Sequence, residues 1–366
     1  MTVTNGRVIS GDSHVMEPAD LWSKALGARF GDRTPRLMNE WRGVKGRFFF
    51  TGNQVRNLGE IEKDAETRGG VEAGYIPEKR IAFQNEAGVA CEVMYTSAML
   101  AQMRSKDPEV LFEAAKVYND WIFEFCSYDI KRLVPIAMIP MHDVAWAVGE
   151  LNRNLARGFK GAMINMGAPA GRPAYRDPSY DPFWARASEA AAPITLHSGT
   201  GSFPDPFHFP TAKEREESPG VLLNGYGEIM IVLANDFICG ALLDRFPKLT
   251  VVCSEFELSW IPHFLWRLDQ MQGSMSHRLN LRQLKERASD YMKSRVYHGT
   301  IDDDHAAYTI GLIGASQVIW GSDYPHVRSI SLNAPKILER HFSALTAVDR
   351  AKVVAGNARA LYRLQA

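Results

Sequence analysis

The sequence predicts an α/β protein built as a (β/α)8 TIM barrel, with an insertion after the first strand and a long loop after the fifth. Three observations predict it. Eight short apolar runs alternate with helix-like stretches along the chain. The runs are almost continuously apolar, as parallel strands covered on both faces require. Polar and ionisable residues stand just past the C-terminal ends of most runs, the face on which barrels of this kind build their sites.

Taken in order, the strands are "RVISG" (7–11), "VACEVMY" (89–95), "LVPIAMI" (133–139), "GAMINM" (161–166), "PITLH" (193–197), "LTVVC" (249–253), "VYHGT" (296–300) and "QVIWG" (317–321). Between them, residues 107–129 open on Asp-Pro and carry apolar residues at helical spacing. Residues 143–158 open on Asp143 and close on Gly158, a helix stop. Residues 181–192 repeat the Asp-Pro start. Two segments break the alternation. Residues 22–80 form the insertion, in which "GRFFFTG" reads as a small hairpin. Residues 198–227 form a loop rich in Gly, Pro and Phe. Both leave C-terminal strand ends, where long loops act as lids or binding loops.

The 366 residues, 46% of them hydrophobic, are enough for one large core, and 1–366 reads as a single barrel domain. Lys+Arg and Asp+Glu balance at 42 each, and no basic stripe occurs, so nucleic acid is not an expected partner. No membrane span and no secretory signal are expected. Cys91, Cys126, Cys239 and Cys253 are scattered without a CxxC pair, which fits free thiols in a cytoplasmic protein.

The strand ends carry the chemistry. The first supplies Asp12 and His14, the second Thr96, the third His142 and the fourth Asn165. The fifth ends in His197 and the sixth runs into Glu255. The seventh contains His298, and the eighth is followed by Asp323 and His326. Asp12 and His14 stand two apart, so on an extended strand end they share a face. Imidazoles and carboxylates together bind Zn2+, Mn2+ or Fe2+. Asp12, His14, His197 and Asp323 are the candidate ligands of one ion that leaves a position open for substrate. Glu17, Glu255, His326 and His142 are candidates for a second ion. Glu255, Asp323 and His298 are the candidate proton-transfer groups. Arg172 and Arg328 are candidate anion clamps, and Phe203, Phe207, Phe209 and Trp260 candidate pocket walls.

"GDSHVMEP", "TLHSG", "WGSDYPH" and the tail "VVAGNARALYRL" resemble the amidohydrolase-2 family, metal-dependent TIM-barrel enzymes that include decarboxylases. The motifs follow the family order from one end of the chain to the other. The resemblance implies a divalent ion, commonly zinc or manganese, held by Asp12, His14, His197 and Asp323. It implies a lyase or hydrolase acting on a small carboxylated or carbonyl substrate. It also implies a homo-oligomer, a dimer or more, with a hetero-oligomer of homologous chains as a variant. The departure lies after the sixth strand, where such decarboxylases usually carry histidine and this chain has Glu255. Some similar barrels hold two iron or manganese ions and activate O2, so a dinuclear oxygenase is the alternative.

Glu255 has a second reading. Ser254 and Glu257 have capping-box spacing, which would place Glu255 at the first position of a helix, beside its positive dipole end.

Overall fold

The computed structural model describes residues 7–50, 55–57, 71–201, 223–326, 329, 332 and 334–365. Twelve strands are present among them: β1 (Val8–His14), β2 (Arg36–Trp41), β3 (Val44–Phe50), β4 (Val55–Asn57), β5 (Val89–Tyr95), β6 (Leu133–Pro135), β7 (Ala137–Ile139), β8 (Ala162–Ile164), β9 (Ile194–His197), β10 (Val251–Ser254), β11 (Val296–Thr300) and β12 (Val318–Trp320). All eight predicted runs form strands. The third is divided at Ile136 into β6 and β7, next to Pro135, which has no N–H to give to a ladder.

The pairing is parallel throughout the barrel, in the order β1-β5-β6 and β7-β8-β9-β10-β11-β12. The two arcs share the divided strand, and β12 meets β1 beyond their ends. There Asp323 N–H donates to Asp12 O at 2.9 Å and His14 N–H to Tyr324 O at 2.7 Å. The helix Pro108–Ser127 is capped by Asp107, which accepts from Val110 N–H at 3.3 Å. The helix Val144–Arg157 is capped by Asp143 and stops at left-handed Gly158. These local signals were readable because each satisfies a backbone group that a helix end leaves unpaired.

The insertion folds as the helix Leu21–Phe30 and the antiparallel sheet β2-β3-β4, into which the predicted hairpin falls. Phe49 packs on Trp22, whose indole N–H donates to Ala114 O at 3.1 Å, so the sheet is pinned to the barrel's helical layer. Contrary to the expectation from composition, the helical stretch Gly225–Arg245 is long and apolar enough, by length and composition, to cross a membrane. Of its most apolar window 61% is buried in the protein, and Glu228 and Asp236 lie within the stretch.

Candidate metal centre

The site begins where β1 and β12 converge. Gly321 lies so close to β1 that a Cβ there would stand 2.5 Å from that of Asp12, so only glycine lets Asp12 approach. The hydroxyls of Ser10, Ser13 and Ser322 bond one another across the seam at 2.8 to 3.2 Å, and Ser10 also donates to Asp12 O at 2.8 Å. Beneath His14, buried Arg80 grips Glu92 with two N–H groups at 2.6 and 2.9 Å. A third donates to His14 O at 2.9 Å. Asp323 sits at φ +54 and Glu255 at φ +67. Non-glycine residues in this left-handed region cost energy and persist where the surroundings fix them.

Six predicted residues converge. His14 Nε2 lies 3.5 Å from Asp12 Oδ1 and 3.4 Å from Asp323 Oδ1. His197 Nε2 lies 3.4 Å from Asp12 Oδ1 and its Nδ1 3.5 Å from Glu255 Oε2. His326 Nδ1 lies 2.9 Å from Asp323 Oδ1 and 3.9 Å from Glu255 Oε1. Two overlapping groups have the compactness of an ion's ligand set: Asp12, His14 and His197, and His14, Glu255, Asp323 and His326.

The imidazoles show which atoms face inward. His14 Nδ1 is 2.7 Å from Thr96 O, an acceptor, so it carries the proton and leaves the Nε2 lone pair facing the carboxylates. His197 Nδ1 stands likewise 2.9 Å from Ser198 O, leaving Nε2 toward Asp12. Asp12 Oδ2 and His14 Nε2 are buried without a hydrogen-bond partner, and Asp323 Oδ1 has only its ion pair with His326. Such groups are costly unless something satisfies them, and a divalent cation among them satisfies all three. The outer hydrogen bonds to Thr96 and Ser198 orient the rings in the manner usual for metal-bound histidine.

The electrostatics set His14 apart from the other two histidines. Burial, with His326 and His197 beside it, drives the His14 pKa well below its ordinary value, so the ring is neutral and able to ligate. Burial would lower His197 too, but Asp12 and Glu255 outweigh it and raise it to about 9. Asp323 and Glu255 likewise lift His326 to about 10 against its burial. Burial and the nearby Glu255 and Asp12 push Asp323 up to about 7, although His326 opposes them. Burial would also raise Glu255, yet His326, His197 and Ser198 outweigh it and pull it to about 2.

The other candidates stand elsewhere. Glu17 accepts from Thr96 Oγ1 and from Ala98 N–H at 3.0 Å, so it shapes the loop after β5 and joins neither ligand group. His142 is also outside both groups. It lies edge-on to Phe112, with burial and the charge of exposed Arg172 lowering it to about 4. His298 turns outward, with Nε2 3.3 Å from Met292 O in the helix preceding its strand. It lines a small cavity with Ile261, Leu265, Met292 and Ile313. It cannot serve as the proton donor, because the sheet separates it from the cluster. Trp260 donates to Phe256 O at 2.9 Å and Glu257 O at 3.1 Å, closing the turn before its helix. Phe203, Phe207, Phe209 and Arg328 lie outside the described residues.

The capping box does not form. Ser254 ends β10, Glu255 and Glu257 both have positive φ, and the helix begins only at Ile261. Glu257 instead accepts from Thr300 Oγ1 at 2.9 Å and from Ile301 N–H at 3.0 Å. Asp303 returns the contact by accepting from Leu258 and Ser259 N–H, so the loops after β10 and β11 hold each other. The sequence reading gave Glu257 another role and missed Asp303, Arg80, Ser198 and Ser97, whose hydroxyl lies 3.0 Å from His326 Nε2. Glu92 inside an apolar strand was the available signal for Arg80, because a buried charge requires a partner.

The comparisons with known proteins agree with this geometry. The amidohydrolase family model matches residues 64–364. A γ-resorcylate decarboxylase from Rhizobium sp. (strain MTP-10005) is 26% identical over 305 residues, covering 79% of this chain and 88% of its own. The solved structure of an amidohydrolase from Mycobacterium avium subsp. paratuberculosis K-10 superimposes with a TM-score of 0.76 at 22% identity, covering 98% of this chain and 100% of that one. A 5-carboxyvanillate decarboxylase from Novosphingobium aromaticivorans, solved with manganese and 4-hydroxy-3-methoxy-5-nitrobenzoic acid, superimposes with a TM-score of 0.72 at 17% identity, covering 98% and 96%. None of these is an oxygenase, so the oxygenase alternative gains no support. The chain belongs to the amidohydrolase family.

Proposed function

We propose that this protein is a metal-dependent decarboxylase of small carboxylated aromatic substrates. The observation that carries the reading is the convergence of Asp12, His14, His197 and Asp323 at the mouth of the barrel, with Asp12 Oδ2 and His14 Nε2 buried and unpaired. Asp12, His14, His197 and Asp323 would hold one divalent ion. Manganese is favoured over zinc or iron by the manganese in the 5-carboxyvanillate decarboxylase and by the carboxylate share of the ligands. When bound, the ion supplies a positive charge that fixes an anionic substrate oxygen and stabilises charge developing on it.

Decarboxylation breaks one C–C bond. CO2 leaves without the bonding pair, and the carbon that keeps the pair takes a proton. As an ion ligand Asp323 is ionised, so the proton comes from His326, whose Nδ1 lies 2.9 Å from Asp323 Oδ1 and which that carboxylate keeps charged. Glu255 is held too low to act as the acid. The test is CO2 release by manganese-loaded protein from a panel of 2-hydroxylated benzoic acids. We expect turnover of at least one acid, abolished by a chelator and restored by manganese. No release from any of them overturns the reading. Metal analysis should give about one ion per chain; two would mean that the His14, Glu255, Asp323 and His326 group takes an ion as well.

A further inference from the structure

The carboxylate of Glu17 belongs to neither ligand group, yet it is bonded to the turn that touches both. The chain leaving β1 runs beside the end of β5. Val15 N–H donates to Tyr95 O at 2.8 Å and Met16 N–H to Gly74 O at 2.9 Å. This path buries Glu17 against residues 96–99. A buried carboxylate is costly unless its oxygens are filled. Oε1 accepts from Thr96 Oγ1, and Oε2 from Ala98 N–H at 3.0 Å. Because the Thr96 hydroxyl gives its proton to Glu17, its lone pairs are left for other donors, and Met99 N–H takes one at 2.9 Å. These bonds together fix the turn from Thr96 to Met99. The same turn holds two histidines by their outer nitrogens. Thr96 O is 2.7 Å from His14 Nδ1, and Ser97 Oγ is 3.0 Å from His326 Nε2. The inner nitrogens, His14 Nε2 and His326 Nδ1, face Asp323 at 3.4 and 2.9 Å. The two rings stack with centroids 4.0 Å apart, so a turn of either one presses on the other.

We propose that Glu17 is a positioning residue that, through Thr96 and Ser97, sets the rings of His14 and His326 together and so couples ion binding to proton delivery. The proton-delivery half rests on the decarboxylase reading; the ion-binding half does not. The groups that orient a metal-bound histidine from outside govern how well it ligates. Here that outer group is a backbone carbonyl, which has no side chain of its own to hold it. Glu17 supplies the hold. Its two oxygens tie down both sides of Ser97, at Thr96 and at Ala98, so the residue that meets His326 cannot shift without the carbonyl that meets His14.

The test uses three variants of the full-length protein. Glu17→Met removes both acceptors from a side chain of similar length, Glu17→Gln keeps one, and Ser97→Ala removes only the branch to His326. Equilibrium dialysis gives the manganese dissociation constant, and CO2 release at saturating manganese gives kcat and KM for a benzoic acid that the wild type turns over. Glu17→Met should weaken manganese binding about ten-fold or more and lower kcat by a similar factor, with KM within about two-fold of the wild type. Glu17→Gln should fall between the two, and it carries the test if Glu17→Met does not fold. Ser97→Ala should lower kcat about ten-fold and leave the manganese constant unchanged. A merely structural Glu17 would lower the urea midpoint of the metal-free protein and leave manganese binding and kcat of the folded protein as they were; that result overturns the proposal. Wild-type kcat in Ser97→Ala overturns the branch to His326 and with it the coupling. If the wild type releases CO2 from no benzoic acid, the decarboxylase reading fails, and manganese binding decides alone: equal constants in the wild type and the Glu17 variants overturn the proposal, and weaker binding in the variants upholds its ion-binding half.

Discussion

Buried histidines lie on both sides of this barrel's sheet, and His197 and His326 at the mouth behave in the opposite way to His298 behind it. His197 and His326 face the mouth among three carboxylates, which raise them to about 9 and about 10. His298 is just as buried, on the outer side of β11, and has only a backbone carbonyl for company. There desolvation acts almost alone and lowers it to about 4. Within one sheet His197 at the end of β9 is thus drawn toward the charged form, while His298 on β11, two strands away, is drawn toward the neutral one. Burial by itself is not the mark of a site. Burial with convergent carboxylates and unpaired atoms is.

The comparison breaks most decisively at the ligands. Asp323→Ala should reduce decarboxylation by roughly 1,000-fold or more, since it removes an ion ligand and the carboxylate that holds the proton-giving His326. His197→Ala should lower manganese affinity by more than about 100-fold, because it removes one of the two nitrogen ligands of the Asp12, His14 and His197 group. Equilibrium dialysis with elemental analysis reads the second effect and a CO2 assay the first. Full metal and activity in both variants would dissolve the distinction between the two histidine sets.

A smaller effect is expected one layer below. Arg80 joins Glu92 in an ion pair with both side chains at 1% exposure or less, and it also donates to the carbonyl of His14. Arg80→Ala would leave Glu92 buried and uncompensated, at a cost of about 3–5 kcal/mol. Urea unfolding measures this, and a loss below about 1 kcal/mol would show that water replaces the guanidinium.

Arg80 and Glu92 also mark where the sequence stops being informative. The barrel was readable because eight apolar runs and their polar ends follow from covering a parallel sheet on both faces. The ligand set was readable because it stands at strand ends, and Asp12 and His14 share a face by spacing alone. Which way His298 points was not. Side-chain direction alternates along a strand, so the answer depends on where the strand ends to within one residue. His14 and His197 are the last residues of their strands, whereas His298 is the third of five. Ser254 and Glu257 misled for a related reason. Their spacing suits a cap, but positive φ at Glu255 and Glu257 delays the helix to Ile261 and turns Glu257 to the loop after β11. Long-range bonds decided that geometry, and local spacing does not encode them.

The finest separation of the two sets comes from His298→Leu. At pH 7 the wild-type ring is neutral, so the exchange removes one hydrogen bond to Met292 O and an unpaired Nδ1. Stability should change by no more than about 1 kcal/mol. Metal content and activity should not change, since the residue stands behind the sheet. Acid should separate the two proteins. The folded pKa of about 4 lies below the ordinary value of 6.5, so below pH 6.5 the unfolded chain takes up a proton that the folded one refuses. The wild type therefore loses stability as pH falls from 6.5 toward 4, by up to roughly 3 kcal/mol from this residue, and the leucine variant is spared that loss. Urea unfolding of both proteins at pH 7 and pH 4.5 should show the variant gaining on the wild type at the lower pH. Parallel pH slopes would mean that His298 is protonated within the fold, which would require an anionic partner that its present surroundings do not supply.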